Sequence, residues 1–152
     1  MKTRAVVFAY SEVGVRCLEV LLAGQVEIPL VVTQDDAAHE TRWFASVAEL
    51  ARRYELPCIA PDSAGDPSLV ERVATLAPDF IFSFYYRFLL GEEILRSARR
   101  GALNMHGSLL PKFRGRAPVN WALVHGATET GATMHYMVAR ADAGNIVDQQ
   151  SV

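Results

Sequence analysis

Ala5-Val6-Val7-Phe8-Ala9-Tyr10 is an unbroken apolar run with no alternation of polar and apolar residues. A strand with one wet face alternates, and a strand covered on both faces does not, so this run reads as a buried strand of a parallel sheet. Working outward, Ser11-Glu12-Val13-Gly14 is a short polar break. Residues 15–23 then read as a helix ended by Gly24. Residues 28–33 form a second strand, with Pro29 tolerable only near its start, and residues 34–42 are polar and read as a loop. Trp43, Val47, Leu50 and Tyr54 recur at helical spacing. Pro57-Cys58-Ile59 is a third short strand. Asp66 before Pro67 starts a helix whose apolar stripe is Leu69, Val73 and Leu76. Phe80-Ile81-Phe82-Ser83-Phe84 is another buried strand, followed by a short helix through Ile94 and Leu95 and a strand over residues 102–106. Residues 117–124 read as a helix, and residues 133–138 and 146–150 as the last two strands. Strands alternating with helices imply an α/β fold: a mostly parallel twisted sheet with helices on both faces and right-handed crossovers. Ligands of such folds bind beyond the carboxyl ends of the strands.

The chain has 152 residues, which suits one domain with a single sizeable core. Its net charge is -2, so no overall basic field attracts nucleic acid. No apolar stretch is long enough to span a bilayer, and residues 5–10 are too few for a signal-peptide core. The two cysteines, Cys17 and Cys58, are too few for a disulfide scaffold and form no zinc pair, so both are expected to pack as small apolar groups. A cytoplasmic protein is expected. The chain stops at Ser151-Val152 in or just after a strand, and residues 1–152 read as a domain truncated at its C-terminal end.

The loop after the first strand holds one glycine, so the close backbone approach that a dinucleotide pyrophosphate needs is missing. No phosphate-cradling GxxxxGK[ST] is present either. The chemistry concentrates in Asn104-Met105-His106-Gly107-Ser108-Leu109-Leu110-Pro111-Lys112-Phe113-Arg114-Gly115-Arg116-Ala117-Pro118. Asn104 and His106 are two residues apart, so on a strand both point to one face. Gly107 follows, allowing a ligand close to the backbone. An amide can donate to an oxyanion, and an imidazole can take a proton from an attacking amine. Both groups can equally satisfy backbone atoms in a tight turn. Asp142, in the small-residue loop Arg140-Ala141-Asp142-Ala143-Gly144, can orient His106 and favour its charged form, or simply form the turn before Gly144. No serine sits in a nucleophile elbow, so direct transfer fits better than an acyl-enzyme. His39, His106, His125 and His135 show no metal-ligand spacing, and no metal is expected.

Residues 104–111 followed by Arg114-Gly115, with Asp142-Ala143-Gly144 as a second element, resemble the signature of the formyltransferases that use 10-formyltetrahydrofolate. That family includes glycinamide ribonucleotide formyltransferase, methionyl-tRNA formyltransferase and sugar N-formyltransferases. The resemblance implies a Rossmann-like formyltransferase fold, with the chain as its folate-binding and catalytic N-terminal domain. It also implies roles: Asn104 stabilises the transition state, His106 takes and gives the proton, and Asp142 raises the pKa of His106. Folate contacts are expected from Phe88, Leu89, Leu90 and Arg116, and from the backbone of Val138, Ala139, Arg140, Ala141 and Asp142. Phe8-Ala9-Tyr10, residues 82–87, residues 115–121 and residues 140–144 resemble the branch that formylates UDP-4-amino-4-deoxy-L-arabinose, a nucleotide-activated amino sugar used to modify lipid A.

The partner implied is thus a small nucleotide sugar, with no membrane contact and with a homo-oligomer left open. Three other readings stand beside this one. Methionyl-tRNA formyltransferase shares the chemistry but needs a cationic surface, and this chain has 15 basic against 17 acidic residues. A folate-binding fragment without turnover is the second. A formyltransferase for another nucleotide sugar, such as a dTDP-linked one, is the third.

Overall fold

The computed structural model describes residues 2–35 and 41–152. Of the loop expected over residues 34–42, positions 36–40, His39 among them, lie outside the described residues. The chain divides into two compact units, one ending at Ala102 and the other beginning at Leu103.

The first unit runs β1 (Arg4–Ala9), α1 (Ser11–Ala23), β2 (Glu27–Val32), α2 (Val47–Arg53), β3 (Cys58–Ile59), α3 (Pro67–Leu76), β4 (Phe80–Phe84) and α4 (Glu92–Arg96). Its strands lie in the order β3-β2-β1-β4, and each neighbouring pair is parallel. Ala5 through Ala9 are 0% exposed, so β1 is covered on both faces, as its unbroken apolar run implies. Burying Val6, Val7 and Phe8 contributes about 1.5–3 kcal/mol each. Helix α1 packs against α2, and α3 against α4. β1 is anchored at its start, where Asp79 accepts from the Arg4 backbone N–H at 2.9 Å and the Arg4 guanidinium donates to the Leu76 carbonyl.

Local chemistry sets the element ends. α1 begins at Ser11 rather than at residue 15. The stretch read as a polar break is its first turn, tied by an Arg16–Glu12 ion pair at 2.9 Å. Gly14 is buried there because a Cβ would press on Ala9 and Val47 at 3.1 Å. Its C-cap Gly24 keeps an ordinary φ of -75, and Gln25 takes the left-handed turn at φ 58. Pro29 falls inside β2, where the register with β1 slips between Arg4 and Val6, a bulge that absorbs the missing donor. Ser46 accepts from the Glu49 N–H and so starts α2 at Val47. Trp43 is therefore outside the helix and 87% exposed, and Tyr54 is its exposed C-cap, which corrects the stripe drawn through both. Asp66 caps α3 as expected, accepting from the Ser68 N–H at 2.8 Å. Neither cysteine is disulfide-bonded and both are half-buried, and burial pushes the Cys17 thiol up to about 11.

Strand β5 (Gly101–His106) spans the boundary between the units. The second unit continues with α5 (Pro118–Val124), β6 (Gly131–Tyr136) and β7 (Ile146–Ser151), in the sheet order β5-β6-β7. Both pairings are antiparallel, so the antiparallel strands that a mostly parallel sheet allows fall in the second unit. Ala117 caps α5 at φ 52, and β6 lies two residues earlier than residues 133–138. No helix among the described residues is long and apolar enough to cross a membrane.

Tyr86 packs edge-on against Phe8 at 5.3 Å, and its hydroxyl has no hydrogen-bond partner among the described residues. Burial pushes its phenol up to about 12. Removing an unsatisfied buried hydroxyl relieves a desolvation cost of about 1–3 kcal/mol. Tyr86→Phe is therefore expected to leave stability unchanged or raise it by about 1 kcal/mol in urea unfolding. A loss of that size would contradict the unpartnered hydroxyl.

Candidate active site

Asn104 and His106 end β5, and the antiparallel register sets Asn104 opposite His135 and His106 opposite Thr133. Directly opposed residues share a sheet face, so these four side chains lie on one face. His106 is 6%, His135 1% and Thr133 0% exposed, while Asn104 is half-buried.

Asp142 comes to it from the connection between β6 and β7. Its backbone is left-handed at φ 54, a conformation that Asp tolerates better than most residues. The turn is held from both sides. The Tyr136 N–H donates to the Asn145 carbonyl at 2.9 Å. A Cβ at Gly144 would overlap the Tyr136 carbonyl, so only glycine fits. One carboxylate oxygen, Oδ2, accepts from the Gly115 N–H at 2.9 Å. The other, Oδ1, lies 3.6 Å from His106 Nδ1 and 3.7 Å from His135 Nε2.

These partners assign the protons on His106. Its Nε2 is 2.8 Å from the Phe113 carbonyl, which can only accept, so Nε2 carries the hydrogen. Nδ1 is then bare in the neutral ring, and a proton taken there arrives beside the Asp142 carboxylate. Phe113 holds that carbonyl in place with its own left-handed backbone, φ 53. The site's loops thus carry three strained non-glycine positions, Phe113, Ala117 and Asp142.

The loop after His106 is latched to β6. The Thr133 hydroxyl donates to the Ser108 carbonyl at 2.7 Å and accepts from the Leu110 N–H at 3.0 Å. Gln149 of β7 donates to the same hydroxyl and to the Leu110 carbonyl. The Ser108 hydroxyl is fully buried and donates to the Lys112 carbonyl at 2.6 Å, so it is no nucleophile. Among the described residues no group of three or more His, Cys, Asp or Glu could hold a metal ion. What the face offers is an amide donor, an imidazole with one protonatable nitrogen, and a carboxylate to balance its charge.

Asn104, His106 and Asp142, picked out in the sequence, thus come together within the second unit. Arg116, Val138, Ala139, Arg140 and Ala141 are exposed there. In the first unit Phe88 and Leu90 are half-buried, and Leu89 is 83% exposed. A cavity of about 350 Å³ in the first unit is lined by residues including Tyr10, Gln34, Phe44 and Ser46, and by none of the expected site residues. Missed in the sequence were His135, Thr133, the Phe113 carbonyl and the Gly115 N–H. Thr133 and His135 share the parity of a strand face, but their opposition to His106 and Asn104 depends on register.

Thr133→Val keeps the shape and removes the latch, leaving the buried Leu110 N–H without its acceptor. The variant is expected to lose about 1–3 kcal/mol in urea unfolding. Thr133→Ser should retain most of it, and equal stability of Val and wild type would contradict the latch.

The formyl transferase family matches residues 3–152. Solved structures agree. Phosphoribosylglycinamide formyltransferase from Bacillus halodurans is 26% identical, with 99% of this chain and 79% of that one covered at a TM-score of 0.81. Glycinamide ribonucleotide transformylase 1 from Symbiobacterium toebii is 28% identical, with 99% and 73% covered at 0.81. A formyltetrahydrofolate deformylase from Pseudomonas syringae, 22% identical, shares the fold at 0.79, and this chain covers 51% of it. With a match over nearly its whole length, the chain belongs to the formyl transferase family, and it is a folate-dependent formyl-transferring enzyme whose donor is 10-formyltetrahydrofolate.

Proposed function

We propose that this protein transfers the formyl group of 10-formyltetrahydrofolate to the amine of a nucleotide-activated amino sugar, with UDP-4-amino-4-deoxy-L-arabinose as first candidate. The observation that carries the chemistry is His106 Nδ1 at 3.6 Å from Asp142 Oδ1, on the β5 face that also presents Asn104. The bound folate supplies an electrophilic formyl carbon. The Asn104 amide donates to the oxygen on which negative charge develops when an amine attacks. His106 Nδ1 receives the proton that the amine gives up, the Asp142 carboxylate stabilises the imidazolium, and His106 would return that proton to the folate nitrogen as its bond to the formyl carbon breaks and tetrahydrofolate leaves. For folate itself the proposed contacts are Arg116 and the backbone of residues 138–142 in the second unit, and Phe88, Leu89 and Leu90 in the first. An apolar side chain as exposed as Leu89 fits a ring-binding role.

The acceptor is argued from the residues. Residues 82–87, 115–121 and 140–144 resemble the N-terminal formyltransferase domain of the bifunctional polymyxin-resistance protein ArnA. The product would then serve lipid A modification and polymyxin resistance from the cytoplasm. A second reading is favoured by the names of the structural neighbours: glycinamide ribonucleotide as the acceptor.

Mass spectrometry after incubation with 10-formyltetrahydrofolate and each acceptor separates them, with methionyl-tRNA as a third arm. Formylated UDP-amino sugar is the expected product. Formylation of another acceptor alone would replace the sugar reading, and no product from any would overturn it. Asn104→Ala is expected to cost about 10²–10³-fold in kcat. Asp142→Asn keeps a side chain that tolerates the left-handed backbone and loses the charge. It should fold as the wild type and lose about 10²-fold in kcat, and undiminished turnover in either variant would contradict its role.

A further inference from the structure

We propose that His135 is a positioning residue for formyl transfer: it selects the orientation of the Asn104 amide and leaves Asp142 to His106. The proposal rests on the reading of Asn104 as the donor to the developing oxyanion. His135 lies directly across the ladder from Asn104 and is 1% exposed. Its Nδ1 is 2.9 Å from the carbonyl of Tyr136, which can only accept, so Nδ1 carries the ring hydrogen. Nε2 is then the bare nitrogen, and it lies 3.2 Å from Asn104 Nδ2. An asparagine side chain has nearly the same shape when flipped by half a turn, so its surroundings must choose between the two states. A bare Nε2 chooses: the amide nitrogen donates to it, whereas a flipped amide would set its oxygen against a second acceptor. One N–H of Asn104 is thereby fixed on His135, and the second is left for a carbonyl oxygen.

The same tautomer has a second effect. Oδ1 of Asp142 lies 3.7 Å from His135 Nε2 and 3.6 Å from His106 Nδ1. A bare Nε2 has no proton to offer the carboxylate, so Asp142 stays available to the ring of His106. Two histidines of like chemistry flank one oxygen, and the Tyr136 carbonyl makes them unlike.

Two substitutions separate positioning from mere filling of the core. His135→Asn keeps a donor near the Tyr136 carbonyl and removes the acceptor facing Asn104. His135→Gln reaches further and restores an acceptor oxygen there. With saturating substrates, His135→Asn is expected to lose about 10²-fold in kcat with KM for the donor little changed, as for a misplaced catalytic group. His135→Gln should recover to within about 10-fold of the wild type. In an Asn104→Ala background, His135→Asn should cost almost nothing further, because both changes remove one function. Wild-type kcat in His135→Asn, or a full additive loss in the double variant, would overturn the proposal. Failure of the underlying reading looks different: Asn104→Ala alone would then turn over like the wild type. Should the variants not fold, long-range ¹H–¹⁵N spectra of wild-type His135 decide. The expected signal is a protonated Nδ1 and bare Nε2, and the opposite tautomer would overturn the proposal.

Discussion

The carboxylate of Asp142 meets a backbone N–H through one oxygen and two imidazoles through the other. Most other features of the second unit can be read as what it takes to hold it there. The residue lies in a left-handed conformation that costs about 1–3 kcal/mol when a side chain other than glycine adopts it. Gly144 lets the connection pass against the Tyr136 carbonyl, and the Gly115 N–H fixes the carboxylate's orientation. Without that anchor, nothing described here would balance the charge of a protonated His106. The strain and the glycine are thus explained by the position of a single oxygen atom.

Antiparallel pairing is what lets so few residues assemble this face. In β5 and β6 each side chain has a partner directly across the ladder, so Asn104 meets His135 and His106 meets Thr133 without help from a loop. The loop that does matter, residues 108–113, is tied down by a buried hydroxyl and a glutamine amide as well as by the buried Leu110 side chain. Hydrogen bonds of this kind have sharper directions than hydrophobic contacts, which suits a loop whose Phe113 carbonyl must meet one ring nitrogen. The first unit works by the opposite logic. Its strand β1 is apolar, buried on both faces and flanked by the parallel strands β2 and β4.

Much of this was legible in the sequence wherever one local rule acted alone. β4 falls on Phe80–Phe84 as read, because an apolar run between Asp79 and the turn at Tyr85 admits no other register. The Asp66-Pro67 start of α3 is a cap whose geometry is local. Reading failed where tertiary contacts overrode local signals. Ser11-Glu12-Val13-Gly14 looks like a break, yet Gly14 is there for the close approach of α1 to β1 and α2. Trp43 has the spacing of a helix stripe, but the Ser46 cap shuts it out. Strand parity puts Asn104 and His106 on one face, but turn composition alone left Asp142 open, and the resemblance to the formyltransferase signature is what grouped the three. His135 was not legible, because its importance comes from a cross-strand register and a tautomer set by its neighbour's carbonyl.

The central claim is that His106, backed by Asp142, moves the proton during formyl transfer. It is tested most directly by single-turnover release of the formyl group from 10-formyltetrahydrofolate in His106→Gln, with folding checked by urea unfolding. The account predicts a folded variant whose transfer step is slowed by about 10²-fold or more. A folded His106→Gln protein that transfers the formyl group at the wild-type rate would contradict it.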